Sequence, residues 1–337
     1  MKANYFTGSG AFALRDTDLP VPGPGEVVIK NMACGVCGTD VHIANGEPGS
    51  AEVTPPVVLG HEYAGEVTAI GEGVTQLHIG DKVTVDPNIY CGCCEYCRNG
   101  KKQLCPSMQA VGVTRNGGFA QYSLAPAAQA FLLAPHVSYE AGAMAEPVAC
   151  CLHGIDLAGI QPGQRVCVVG GGAIGLIMLQ LAKLSGAAAL MLSEPDPARR
   201  EAALALGADL ALDPRDRGAY GEQAGCADVV IECVGNNPAV ESAFHFADKG
   251  ATVVLFSVPK PDAEYPLPLF DVYKKELTIK GSFVNPDTHA RAVALINAGK
   301  LDFGPIITHR YPLAELSEAV KMQSAPASIK VLVLPQA

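Results

Sequence analysis

The stretch RVCVVGGGAIGLIMLQLAKLSG, residues 165 to 186, constrains the fold of this chain more than any other. Arg165 to Val169 reads as a short apolar strand, and LIMLQLAKLSG as an apolar helix. Between them Gly170, Gly172 and Gly175 fit G-x-G-x-x-G, with Ala173 and Ile174 filling the turn. In such a turn the first glycine permits the tight bend and the second lets a pyrophosphate approach the backbone. The third lets helix and strand pack closely. The phosphates then lie at the helix N-terminus, among N–H groups with no partner in the helix. The glycines alone are a weak signal; the strand before them and the helix after them supply the context.

The alternation continues. ALMLSE is a second strand ending at Glu194, where an acid accepts hydrogen bonds from ribose hydroxyls and repels a 2′-phosphate. Arg199 and Arg200 follow, the residue type that accommodates such a phosphate; of the two cofactors, NAD is expected. PARREAALALG, DLALD, ADVVIECV, a helix over 238–249, TVVLFSV and LTIKGSF complete six strands with intervening helices, a doubly wound α/β arrangement with a parallel sheet. Residues 1 to about 87 have a different texture, with short β-branched runs such as Val27-Val28-Ile29, Val57-Val58-Leu59 and Val83-Thr84-Val85 between Pro and Gly punctuation. GVTRNGGFAQYSLAP is expected to turn at Gly117-Gly118 between short strands. Two domains are therefore expected, as 337 residues also suggest. They are a β-rich domain over 1–147 and 287–337, completed by the C-terminal tail, and a cofactor domain over 148–286.

Twelve cysteines in a chain this large point to metal or reactive thiols rather than to a disulfide framework. Cys91, Cys94, Cys97 and Cys105 are spaced C-x2-C-x2-C-x7-C. Two-residue gaps let consecutive sulfurs reach one tetrahedral ion, and four thiolates close its shell, so this zinc is structural. Cys93 falls between the ligands as a spectator or an alternative to Cys94. A second constellation lies between Cys34 and Glu62, where Cys37, His61 and Glu62 offer a thiolate, an imidazole and a carboxylate. Thr39 and His42 add a hydroxyl and a titratable ring, the parts of a proton relay. Each of these residues alone has an ordinary structural explanation; the other two motifs tip the balance. Further on, Ala-rich helix over about 139–157 is interrupted at Pro147, which is expected to hold Glu146 out of helical geometry.

Net charge is −10, which argues against a nucleic-acid or anionic-membrane surface. No run of about 18 apolar residues is present, and MKANYFTGSG lacks the apolar core of a signal peptide, so a cytoplasmic protein is expected.

Taken together, CGVCGTDVH, GHE, the four-cysteine lobe, GGFAQY, EP and GGGAIG, in that order, resemble the zinc-dependent medium-chain dehydrogenase/reductase family. The Glu146-Pro147 pair resembles the branch of sorbitol, arabinitol and other polyol dehydrogenases, threonine 3-dehydrogenase and 2,3-butanediol dehydrogenase. That resemblance implies a GroES-like fold for the β-rich domain and two zinc ions per chain. Cys37, His61 and either Glu146 or Glu62 would hold the catalytic one. It further implies that Thr39 bonds the substrate hydroxyl and that His42 passes the proton to solvent through the nicotinamide ribose. The expected reaction is NAD-linked oxidation of a secondary alcohol, a polyol or sugar alcohol, by a homodimer or homotetramer paired through edge strands such as LTIKGSF. Val284 stands where sorbitol-type enzymes carry a substrate-contacting arginine. Two other readings compete: a zinc-free quinone or enone reductase, which would lack both ligand sets, and a non-catalytic nucleotide-binding structural protein, which would not need the Thr39–His42 relay.

Overall fold

Arg165–Val169 lies in the middle of a six-stranded sheet whose strand pairs are all parallel. Across it the order is Leu210–Leu212, Ala189–Ser193, Arg165–Val169, Ala227–Glu232, Ala247–Leu255 and Thr278–Gly281. Successive strands thus add first on one side of Arg165–Val169 and then on the other. The reversal creates a switch point at the carboxyl end of that strand, where such sheets bind ligands. Val166, Cys167 and Val168 are buried, as a central parallel strand requires. The helix Ala173–Leu184 follows directly, with Leu176 through Ala182 buried, Gln180 among them. A helix apolar on nearly every side is one enclosed by protein. The next helices begin at side-chain caps: Asp196 accepts from the Arg199 N–H, and Asn236 from the Ala239 N–H.

The computed structural model describes residues 1–47, 49 and 51–337. They divide into two compact units, Met1–Ala149 with Asn285–Ala337, and Cys150–Val284. The first unit is built on a sheet ordered Ala130–Leu132, Lys82–Val85, Glu62–Ile70, Glu26–Gly35, Lys330–Leu334 and Ile307–Pro312, with Tyr122–Pro126 also paired to Glu26–Gly35. The C-terminal strand Lys330–Leu334 therefore sits beside Glu26–Gly35 and closes the first unit. Its apolar core gathers Val27, Ile29, Leu59, Tyr63, Phe119, Val331 and Val333. Among the described residues no helix is long and apolar enough to cross a membrane.

Two local expectations change. The Ala-rich segment is two helices, Tyr139–Ala143 and Ala145–Ala158, broken at Met144 rather than at Pro147. Pro147 falls in the first turn of the second helix, where a missing N–H removes no intrahelical bond, so Glu146 beside it is helical. Gly117 and Gly118 form no hairpin turn. Their N–H groups donate to Val58 and Gly60 carbonyls, and a Cβ on Gly117 would stand 2.3 Å from the Gly60 oxygen. Gly117 is glycine because two backbones touch there, and Gly118 because the Cys34 sulfur and the Tyr63 side chain crowd it.

A buried network links residues 86–88 to the returning chain: Asn285 donates to Asp86, and the Asn88 and Asn285 amides bond each other. His289, a few residues on, is buried against the Phe131 ring, 4.9 Å between centroids. Neither of its ring nitrogens has a hydrogen-bond partner among the described residues. Burial pushes its pKa down to about 3. Since an unfolded histidine titrates near ~6.5, the unfolded chain takes up the proton first as pH falls. His289 therefore contributes its full stability above about pH 6.5 and loses it progressively toward pH 3. Between about pH 7.5 and about pH 5, wild type should lose about 2 kcal/mol more unfolding free energy than His289→Leu, at ~1.4 kcal/mol per pKa unit. Denaturant titrations at both pH values check this, and equal losses would contradict it. The Asp86 contribution, opposite in sign because burial pushes that carboxyl up to about 6, is common to both proteins.

Candidate active site and metal centres

Three neighbouring strands set the site in the first unit. Gly35, at the end of Glu26–Gly35, lies opposite Glu62 on one side and Leu332 on the other. A Cβ at Gly35 would come within 2.0 Å of the Glu62 carboxylate and 2.9 Å of the Lys330 side chain. Glycine there makes room for a buried ion pair between Lys330 Nζ and Glu62 Oε2, and the ammonium also donates to the Val36 carbonyl at 3.0 Å. Gly60 turns the chain into His61 with φ +92, and a side chain on it would strike the Cys34 sulfur and the Phe119 ring.

Beyond Gly35 the chain enters the helix Gly38–Ala44 through Cys37. Asp40, in its first turn, reaches back to accept the Cys37 N–H at 2.9 Å. Its other oxygen faces His61 Nδ1 at 3.8 Å, and neither of those two atoms has a hydrogen-bond partner among the described residues. The ligand atoms of Cys37, His61 and Glu62 all lie within 4.8 Å of one another. Glu146, buried at the start of its helix, is outside that trio, although its charge acts on both His61 and Lys330.

The electrostatics ask for a cation. Burial works against a charged His61, yet the Cys37 and Asp40 charges outweigh it and raise the imidazole pKa well above its ordinary value. Burial likewise opposes a charged Lys330, and the Glu62, Cys37 and Glu146 charges raise it nonetheless. A half-buried thiol beside a buried imidazole and a buried carboxylate is a donor set suited to zinc.

Thr39 and His42 sit three residues apart on the Gly38–Ala44 helix, and so on one face. His42 Nδ1 bonds the Glu47 carboxylate, a partner that sequence reasoning missed. Asp40 and Lys330 were missed too; only Asp40, three residues after Cys37 as a capping acid, left a local signal. His153 is half-buried and outside both groups of potential metal ligands.

In the 91–105 lobe the sulfurs of Cys91, Cys94, Cys97 and Cys105 also lie within 4.8 Å of one another. The Cys91 sulfur accepts the Cys94 N–H and the Cys94 sulfur accepts the Cys97 N–H, so the backbone turns around them. Backbone N–H groups of Cys93 and Cys94 draw the Cys91 thiol down to about 6, while burial pushes Cys97 up to about 12. Four convergent sulfurs, two of them buried, fit a tetrahedral zinc.

In the second unit, Gly170 has φ +103, and a Cβ on Gly175 would stand 1.8 Å from the Gly170 oxygen. Nothing lies within 4 Å of a Cβ on Gly172, so open space borders the helix start there. Glu194 is buried; its carboxylate accepts the Gly171 N–H at 2.6 Å and the Asp196 N–H at 2.8 Å. Arg199 packs near Gly171, and Arg200 bonds the Glu194 carbonyl and pairs with Asp213.

Comparison with known proteins identifies the family. Residues 23–135 match the family described as alcohol dehydrogenase GroES-like domain, and residues 173–298 that described as zinc-binding dehydrogenase. Sorbitol dehydrogenase of Bacillus subtilis is 33% identical over 94% of this chain and 93% of its own length. L-threonine 3-dehydrogenase of Pyrococcus horikoshii is 34% identical, over 96% of this chain and 95% of its own. Among solved structures, a zinc-binding dehydrogenase from Sinorhizobium meliloti 1021 bound to NADP superposes with a TM-score of 0.94 at 39% identity, covering 99% of both chains. The chain belongs to the zinc-dependent medium-chain dehydrogenase/reductase family, in its polyol and threonine dehydrogenase branch. It is an alcohol dehydrogenase that uses zinc and NAD(P) to interconvert an alcohol and its carbonyl compound.

Removing Lys330 should leave the Glu62 carboxylate buried and unpaired. In protein stripped of zinc by a chelator, Lys330→Met is expected to cost about 3 kcal/mol of unfolding free energy. A loss below about 1 kcal/mol in denaturant titration would contradict the isolation of this pair.

Proposed function

We propose that this enzyme oxidises a secondary alcohol of the polyol or sugar-alcohol class, with NAD preferred to NADP. The observation that carries the reading is the convergence of Cys37, His61 and Glu62 within 4.8 Å, His61 and Glu62 being buried. Those three, with Glu146 exchanging for Glu62, would hold the catalytic zinc, and Cys91, Cys94, Cys97 and Cys105 the structural one. Zinc when bound acidifies a hydroxyl, and the nicotinamide when bound accepts hydride.

The chain's own residues do the rest. Thr39 holds the substrate hydroxyl and takes its proton onward to His42, whose ring Glu47 orients. Gly170, Gly172 and Gly175, with Ala173 and Ile174, bring backbone N–H groups to the pyrophosphate. Glu194 accepts from the adenosine ribose and disfavours a 2′-phosphate; Arg199 lies beside it. The relatives' names support a polyhydroxylated substrate, sorbitol, D-arabinitol and D-altritol among them. Val284 in place of an arginine argues against sorbitol itself. L-threonine and 2,3-butanediol are the runners-up, named for other relatives.

NADH formation across sorbitol, xylitol, arabinitols, butanediol, threonine and simple secondary alcohols tests the substrate class, each with NAD and NADP, before and after chelation. The expected result is chelator-sensitive activity on a polyol with kcat/KM higher for NAD. Preference for NADP, or activity on threonine alone, would overturn the corresponding half. Cys37→Ser should lose essentially all turnover while NADH binding stays within about twofold. Retained activity would sink the catalytic-zinc assignment.

We also propose a cytoplasmic homo-oligomer. Twelve free cysteines suit a reducing compartment, which cell fractionation checks. Thr278–Gly281 ends the parallel sheet, and the adjoining helix Leu269–Lys275 exposes Leu269, Phe270 and Tyr273. An open strand edge beside an apolar patch suits pairing with a second copy. Phe270→Glu with Tyr273→Glu should shift the sedimenting species toward monomer; an unchanged oligomer would refute that surface.

A further inference from the structure

The 91–105 lobe holds five thiols, and the convergent group uses four of them. The fifth, Cys93, does not point away. Its sulfur lies 3.7 Å from that of Cys91, and both residues are exposed, whereas Cys97 and Cys105 are buried. Only Gly92 separates them. It has φ +70, and nothing lies within 4 Å of the place a Cβ would occupy, so the Cys91-Gly92-Cys93 loop has open space on that side. A disulfide needs its sulfurs at ~2.05 Å, so a closure of somewhat under 2 Å through side-chain rotation would join them.

We propose that Cys91 and Cys93 form an oxidation site at which a peroxide converts the two thiols into a disulfide and so unloads the structural metal. The metal half rests on the four-cysteine zinc reading given above; the disulfide does not. In the first step the Cys93 sulfur attacks one peroxide oxygen and the O–O bond breaks; Cys93 becomes a sulfenic acid as hydroxide departs with the thiol proton as water. In the second, the Cys91 thiolate attacks the Cys93 sulfur, and a zinc held by the four cysteines would lose that ligand. The S–O bond breaks and a second hydroxide leaves. A thiol and a thiolate lose two electrons in all, and one hydrogen peroxide, taking the Cys93 proton and one from solvent, becomes two waters. With one of four ligands gone, the shell is no longer closed. A disulfide spanning a single residue closes a small, strained ring, and strained, exposed disulfides are the readily reduced ones, so a thiol reductant reverses the change.

The test uses the zinc-loaded full chain and Cys93→Ser, each exposed to hydrogen peroxide. Released zinc is followed with a chromogenic chelator, and disulfides are mapped by mass spectrometry of alkylated peptides. Wild type is expected to release one zinc per chain and to yield a Cys91–Cys93 peptide lacking two hydrogens. Dithiothreitol with added zinc should restore both. Cys93→Ser, which keeps all four ligands, should load the same zinc and release it at least about fivefold more slowly. Equal release rates, or a disulfide between another pair, would overturn the proposal. Zinc content before peroxide, compared with Cys97→Ser, reports separately on the zinc reading: no difference there would remove the release step and leave the disulfide map to decide the rest.

Discussion

Charges packed behind Gly35 are the constraint on which the first unit depends. Glu62, Lys330, Asp40 and His61 are all buried, and each would carry a penalty of several kcal/mol if it were charged and alone. They are tolerable only together. The Lys330 ammonium answers the Glu62 carboxylate, and Asp40 answers both the Cys37 N–H and the His61 ring. Because Gly35, Glu62 and Leu332 face one another across three strands, the sheet register fixes where these groups meet. Of the ligand trio, Glu62 is placed by this strand pairing, whereas Cys37 is placed as the N-cap of the Gly38–Ala44 helix and His61 by the turn at Gly60. Burial raises the Asp40 carboxyl, and the Cys37 and Asp40 charges raise the His61 imidazole, so the packing favours positive charge among these groups.

The second unit solves a different problem by different means. A dinucleotide must be held mainly through its phosphates, and the glycine turn offers backbone rather than side chains. Gly175 permits the helix to start almost in contact with the Gly170 carbonyl. Glu194 is tied to the Gly171 N–H, so the residue that would meet the ribose is also a strut of the phosphate turn. On the proposed role of Glu194, selectivity for the ribose and the shape of the turn would be coupled.

Much of this was legible in the sequence, for a physical reason in each case. The parallel sheet was visible because its strands are continuous apolar runs, and the turn because three glycines fall where steric contact demands them. The sulfur lobe was visible because its ligands are local. What escaped was non-local or disguised. Lys330 pairs with Glu62 across 268 residues and opens a strand, KVLVL, that otherwise reads as plain core. Glu146 stayed helical because Pro147 fell in a first turn, a placement that hinges on the break at Met144. Gly117 and Gly118 looked like a hairpin and proved to be a seam against Gly60, because close approach and tight turning call for the same residue. Val284, β-branched yet at φ +47, ends the second unit in a conformation that no propensity would have suggested.

The central claim is that two separate constellations in the first unit each hold a zinc ion. Anomalous diffraction at the zinc edge tests it most directly, since it locates the metal without reference to activity. Two peaks per chain are predicted, one among Cys37, His61 and the Glu62 or Glu146 carboxylate, the other among Cys91, Cys94, Cys97 and Cys105. A peak in the cysteine lobe alone, with Lys330 still paired to Glu62, would contradict the account, because the buried charges would then be satisfied without a metal.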